Sequence, residues 1–277
     1  MCRMVGWVSP VPVTARALLG DAAIERLRAL SSVHCHGWGV AWREGDRVKV
    51  HRAAVPAGED REFDRVVDEL SVTSAVLHIR MGTPGFGREP TDTHPFTDGQ
   101  WAMIHNGAVA PVTSVDKLLA ADSSRRPVGS TDSERWFLAL RDEIDRGRSV
   151  PEAVSTVIER ARSTGLRGSS WNSMLLGPDA LHVVNHHDHA LLPVDIALWP
   201  ADRPKEILSW PPYFDLRIRQ RDGASVVTSS GIIDDVAEWE LLPNRSVLHV
   251  PLDGGPLHTT LLDERVSSPA SSATAAH

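Results

Sequence analysis

The chain has 277 residues, 42% hydrophobic and 23% charged, with a formal net charge of −7; the length fits one large domain or two small ones, and the composition is that of a soluble globular protein. The acidic balance, with no run of Lys and Arg, excludes a nucleic-acid footprint, and no apolar stretch approaches the ~18 residues of a membrane span. Only two cysteines and no basic-then-apolar leader argue against a disulfide framework or secretion and for a reducing cytoplasm, where a free thiol persists.

In chain order, Arg3 to Val8 reads as a strand leading straight from the terminus. Thr14 to Leu30 has helical spacing, broken at Gly20-Asp21. Gly37 to Trp42 and Val48 to Arg52 flank a Glu44-Gly45-Asp46 turn and form a hairpin pattern. Glu59 to Leu70 is a polar helix with Phe63, Val66, Val67 and Leu70 on one side, and Ala75 to Met81 is a buried strand. A Thr83-Pro84-Gly85-Phe86-Gly87 loop follows, then a strand from Trp101 to His105 that runs into Asn106-Gly107. Thr131-x-x-Glu134 is a capping box ahead of a helix carrying Trp136, Phe137, Leu140 and Ile144; Ser149-Val150-Pro151-Glu152 starts another. Strands then dominate: 172–176, 180–185, 196–199, 214–219, 225–228 and 247–250. Helices between two batches of strands predict an α+β fold with layered sheets. Ser267 to His277 reads as a disordered tail. Nine Trp against one Tyr have no functional explanation at this stage.

Four places carry chemistry. Cys2 is either a small residue after Met with no further role or, once Met1 is lost, a terminal residue carrying both a thiol and a free α-amine. That amine, with an ordinary pKa of roughly 8, can take the thiol proton. Period-two alternation puts Arg80 on one strand face with His78 and Val76. There it either captures a carboxylate in bidentate fashion or makes a structural ion pair. Asn106-Gly107 is either a type I′ hairpin turn or a pair of donors for an oxyanion. Asp132, in the first turn of a helix, either answers the helix dipole or binds a substrate ammonium. His34-Cys35-His36 and His186-His187-x-His189 lack the paired spacings of a metal site, so no metal and no cofactor is expected.

The order Cys2; Leu77-His78-Ile79-Arg80-x-x-Thr83; Thr93-His94-Pro95-Phe96; Ile104-His105-Asn106-Gly107; Thr131-Asp132-Ser133-Glu134 resembles the class-II glutamine amidotransferases, which are N-terminal-nucleophile hydrolases. The Met-Cys-Arg opening and Gly37-Trp38-Gly39 are similar to the stand-alone branch, which includes the ergothioneine-pathway γ-glutamyl amidohydrolase. The resemblance spans about residues 2 to 262 and implies a four-layer αββα sandwich, here a domain over 2–266 with the tail at 267–277. It implies Cys2 as nucleophile with its own amine as base, and Asn106 and Gly107 as oxyanion hole. Arg80 would bind the α-carboxylate of a γ-glutamyl group and Asp132 its α-amine, with Thr83 lining the pocket. The implied partner is a small-molecule γ-glutamyl amide. The resemblance also allows an ammonia-supplying role toward a separate synthase; a reading of another class is an inactive or metal-binding domain of the same fold. Two departures stand near the expected pocket and bear on the leaving group: His36 where the branch usually has Asp, and Pro84 where some members have His.

Overall fold

The computed structural model describes residues 2–188 and 211–262. The strand expected at 196–199, His189 and the expected tail lie outside the described residues. The elements are β1 (Arg3–Val13), α1 (Ala15–Leu19), α2 (Asp21–Leu30), β2 (Trp38–Glu44), β3 (Arg47–Ala53), α3 (Arg61–Glu69), β4 (Val72–Ile79), β5 (Phe96–Thr97), β6 (Ala102–Asn106), β7 (Val109–Ala110), α4 (Asp132–Asp145), α5 (Val150–Ser163), β8 (Arg167–Gly168), β9 (Asn172–Leu176), β10 (Ala180–Asn185), β11 (Leu216–Arg221), β12 (Ala224–Ser229), β13 (Glu240–Leu241), β14 (Ser246–Pro251) and β15 (His258–Leu261). One sheet has the order β13-β11-β12-β1-β4-β2-β3, the second β15-β14-β10-β9-β6-β5, and β7-β8 form a small ribbon.

Alternation along β1 explains the stacking. Val5 and Trp7 turn to one face and pack with Ile24, Leu27, Phe63 and Val67 of α2 and α3. Met4 and Val8 turn to the other and meet Ile104, Met174, Leu181 and Val183 of the second sheet. That sheet's outer face, with Met103, Leu175 and Val184, packs on Trp136, Phe137, Leu140, Val154 and Val157 of α4 and α5. Three apolar layers therefore hold four layers of structure together, αββα. Each fully buried large side chain contributes about 1.5–3 kcal/mol. The Trp excess acquires a packing role here: Trp7 and Trp38 fill one helix–sheet layer, Trp136 and Trp171 the other, the last two with ring centroids 4.7 Å apart.

Several elements differ from the sequence expectation. β1 runs past Val8 to Val13, with a break in register between them, where Pro10 and Pro12 supply no amide to a ladder. The strand expected from Phe214 begins at Leu216, because Pro211–Phe214 form a 3-10 turn. The hairpin alternative for Asn106-Gly107 is not realised. β6 pairs with β5 and β9, β7 pairs with β8, and neither Asn106 nor Gly107 has the positive φ of a type I′ turn. Thr131 Oγ1 does cap the Glu134 amide at 3.2 Å, but Glu134 turns away from Thr131 and takes the amides of Val128 and Gly129, each at 2.8 Å.

Close approach at Gly39 gives a stability prediction. A Cβ there would stand 2.3 Å from the His94 carbonyl oxygen and 2.8 Å from that of His51, both backbone atoms that cannot swing aside. Gly39→Ala is expected to destabilise by about 3 kcal/mol in urea unfolding. A loss below about 0.5 kcal/mol would mean that the seam between β2 and the segment around His94 is looser than drawn.

Candidate active site

Cys2 extends β1. Arg3 pairs with Ile79 of β4, so the next step of the register sets Cys2 beside Arg80. Cys2 is 5% exposed. Its nitrogen donates to Asn106 Oδ1 at 2.8 Å, across from one sheet to the other, and its thiol lies 3.8 Å from the Met81 carbonyl oxygen. The opposite end of the same amide, Asn106 Nδ2, is buried with no hydrogen-bond partner among the described residues. A buried, unused donor next to a thiol is what an oxyanion would require.

Arg80 follows β4 directly. Its backbone continues the ladder, donating to Gly37 O at 2.7 Å and accepting from His36 N at 3.0 Å. Its guanidinium is buried, with Nη2 donating to Gly87 O at 2.8 Å and Nη1 facing His36 O at 3.4 Å. No carboxylate lies within ion-pair distance of it among the described residues. Burial draws this group below its ordinary value, while the charges of Cys2, Asp92 and Asp132 act in the opposite sense. It still carries its charge, and remaining N–H groups are available for a ligand.

Gly107 needs its hydrogen. A Cβ would stand 1.8 Å from the Ser170 carbonyl oxygen and 2.6 Å from His105 Nε2. Behind it His105 spans Ser133 Oγ at 2.9 Å and the Ser170 carbonyl at 3.2 Å. A carbonyl only accepts, so Nε2 carries the proton; burial holds this imidazole below its ordinary value, so Nδ1 accepts from the serine. That ring thereby ties the segment ending at Gly107 to the start of α4.

Asp132 opens α4, buried, its Oδ2 accepting from Val109 N at 2.7 Å and its Oδ1 from Ser133 N at 2.8 Å. Oδ1 also faces Ser133 Oγ at 3.3 Å, so Oδ2 is the oxygen with a lone pair left for a cation, and no protein cation pairs with either among the described residues. Asp92 was not legible as a site residue. It accepts from Ser130 N at 2.6 Å, Ser130 Oγ at 2.9 Å and Glu89 N at 3.1 Å, and so ties the loop after Arg80 to the loop before Asp132. Burial works to raise its carboxyl, but these hydrogen bonds outweigh it and hold it below the usual range. Thr83 and Pro84 lie half-buried in the Arg80 loop. His36 Nδ1 accepts from Gly82 N at 2.8 Å, so this departure from the branch pins the start of that loop.

The histidine-rich stretches take other partners. His187 stacks on Phe214, and no three His, Cys, Asp or Glu side chains among the described residues are grouped to hold a metal ion. No helix among them is long and apolar enough to cross a membrane. Burial pushes His78 down to about 3, and His182 and His186 down to about 4. These rings are neutral in the fold, whereas the unfolded chain binds protons below about pH 6.5. Their contribution is therefore intact above about pH 6.5 and lost as pH falls toward 4, each at about 1.4 kcal/mol per pH unit. The urea midpoint is expected to fall between pH 7 and pH 5, and His182→Gln, at the ring stacked on Trp101, should flatten that slope by one such step. A midpoint independent of pH over this range would contradict their burial.

Comparison with known proteins bears on this arrangement. The family model described as class-II glutamine amidotransferases matches residues 1–197. The γ-glutamyl-hercynylcysteine sulfoxide hydrolase of Mycobacterium tuberculosis is 29% identical over 116 residues, covering 39% of this chain and 50% of that protein. A putative glutamine amidotransferase of Haemophilus influenzae is 28% identical over 147 residues, 51% of this chain and 47% of the relative. The chain thus spans about half the length of the curated relatives it matches. Among solved structures, a glutamine aminotransferase class-II domain protein from Silicibacter pomeroyi superposes with a TM-score of 0.61 at 16% identity, covering 95% of this chain and all of the other. The glutamine phosphoribosylpyrophosphate amidotransferase of B. subtilis gives 0.60 at 14% identity, over 95% of this chain and 50% of that one. Those two likenesses establish the fold, and the family match over residues 1–197 places the chain in the class-II glutamine amidotransferases.

Proposed function

We infer that this chain, once Met1 is removed, hydrolyses the amide of a γ-glutamyl compound through a thioester on Cys2. The observation that carries this reading is a pair of buried, opposite charges, Arg80 and Asp132, that have no ion-pair partners among the described residues and lie beside a buried thiol. Buried charges are retained when something answers them. A γ-glutamyl head carries one carboxylate and one ammonium, which match the two. Holding that end fixed makes attack on the distant amide effectively unimolecular.

In this reading the Cys2 amine takes the thiol proton and the thiolate adds to the γ-carbonyl carbon. Asn106 Nδ2 and the Gly107 N–H receive the oxyanion. Collapse breaks the C–N bond, and the proton held on the amine goes to the leaving nitrogen. Water, deprotonated by the same amine, then replaces sulfur and frees glutamate. Thr83 lines the glutamyl slot, and residues 2–266 act as one catalytic domain. The named function of the mycobacterial relatives supports a bulky amine as leaving group.

The test compares glutamine, γ-glutamyl amides of larger amines, and their α-N-acetyl forms, with glutamate release as readout. The larger amides should turn over without any added protein, and acetylation, which removes the charge Asp132 answers, should lower kcat/KM by about 100-fold or more. Equal turnover of the acetylated forms would overturn the reading. Turnover of glutamine alone, strongly raised by a synthase, would turn it toward ammonia supply.

A further inference from the structure

Arg3 is 3% exposed, and nothing assigned so far uses it. Its Nη1 donates to the Cys2 carbonyl oxygen at 3.2 Å, its guanidinium carbon lies 4.3 Å from the centre of the Tyr213 ring, and its Nε has no partner among the described residues. Tyr213, fully buried, is itself held by Ser230 Oγ, which donates to its carbonyl at 2.7 Å. The Gly231 turn closes the other side: a Cβ there would lie 3.5 Å from Arg3 Nε. No carboxylate neutralises this cation among the described residues. For folding alone an apolar side chain would serve at least as well.

We propose that Arg3 is a positioning residue for the reaction at Cys2: braced on Tyr213, it fixes the Cys2 carbonyl and keeps a permanent positive charge beside the terminal amine, so that the amine stays unprotonated and free to take the thiol proton. This rests on the reading of Cys2 as a processed, N-terminal nucleophile. The carbonyl oxygen and nitrogen of one residue are about 3 Å apart, which sets the charge roughly 6 Å from the amine. At an effective dielectric constant of about 20 such a charge lowers protonation of the amine by one to two pH units, on the order of what moves a group at about 8 to below 7.

Other groups face the same atoms. Arg80, next to β4, acts in the same sense, and its own charge is partly offset by those of Asp92 and Asp132. His78 and His105, from β4 and β6, are held neutral by burial, as is Tyr213, whose hydroxyl is pushed up to about 12. Once substrate is bound its carboxylate answers Arg80, whereas no carboxylate among the described residues answers Arg3.

The experiment uses the full chain, with Met1 loss checked by intact mass, as Arg3→Met, Arg3→Lys and Tyr213→Leu. Alkylation of Cys2 by iodoacetamide, located by peptide mapping, is followed against pH, and then kcat against pH on a γ-glutamyl amide. Arg3→Met should move the acid limb of both profiles up by about one pH unit, with KM unchanged within about twofold. Tyr213→Leu should move it less, and Arg3→Lys should restore most of the limb. A wild-type limb in Arg3→Met, or a fall in kcat equal at every pH, overturns the proposal. Should Arg3→Met not fold, the limb of Tyr213→Leu decides in the same way. Alkylation needs no substrate, so a shifted limb without glutamate release from any γ-glutamyl amide would sink the functional reading and leave the role of Arg3 standing.

Discussion

Cys2→Ala is expected to lower glutamate release by at least about 10⁴-fold while substrate still binds. The amine and the oxyanion donors survive in that variant, but no atom remains to form the thioester. The fold should persist, because the side chain is small and its one hydrogen bond among the described residues, to Met81 O at 3.8 Å, is weak. Arg80 and Asp132 are untouched, so equilibrium dialysis should find γ-glutamyl amide bound within a few-fold of wild type. Intact mass with a diazo-ketone glutamine analogue completes the test: one adduct on the processed wild type, none on the variant. Wild-type-like turnover by Cys2→Ala would remove the mechanism entirely.

Asn106→Ala is expected to reduce kcat by about 10²–10³ with KM changed only a few-fold, since a donor aimed at developing charge stabilises the transition state more than the bound amide. Asn106 has two jobs that substitution can separate. Oδ1 accepts from the Cys2 nitrogen at 2.8 Å, whereas Nδ2 is the buried donor left over. Asn106→Asp keeps the acceptor, loses the donor and adds a negative charge where the oxyanion would form. It should therefore be at least as damaging as Asn106→Ala, although it holds Cys2 equally well. A rise in KM with kcat unchanged in either variant would mean that Asn106 only binds substrate.

The alternating strands were legible because their pattern is local. Val5 and Trp7 against Met4 and Val8 already specify two faces, and the helix beginning at Asp132 announces itself through Thr131 and its apolar stripe. The two-residue strands β5, β7, β8 and β13 were not, since two residues hold no period and their pairing is set by neighbours. At Asn106-Gly107 the local signal favours a hairpin over an oxyanion site, and only the partners of β6 rule the hairpin out. The convergence of Cys2, Arg80, Asn106 and Asp132 came from resemblance to a family, not from spacing. Asp92 with Ser130, and Arg3 with Tyr213, lie far apart in the chain, and such contacts leave no mark on nearby residues. Their geometry makes the loops around Arg80 and Asp132 one unit, which no motif announces.

The placement of β1 has a temporal consequence. It is an inner strand whose second neighbour is β12, and Val5 pairs with Thr228, more than two hundred positions later. Closing a loop of that size is slow. If Met1 is trimmed as the proposed function requires, the β12 side of β1 stays open until Thr228 has been synthesised, whereas the β4 side can pair as soon as Ile79 is available.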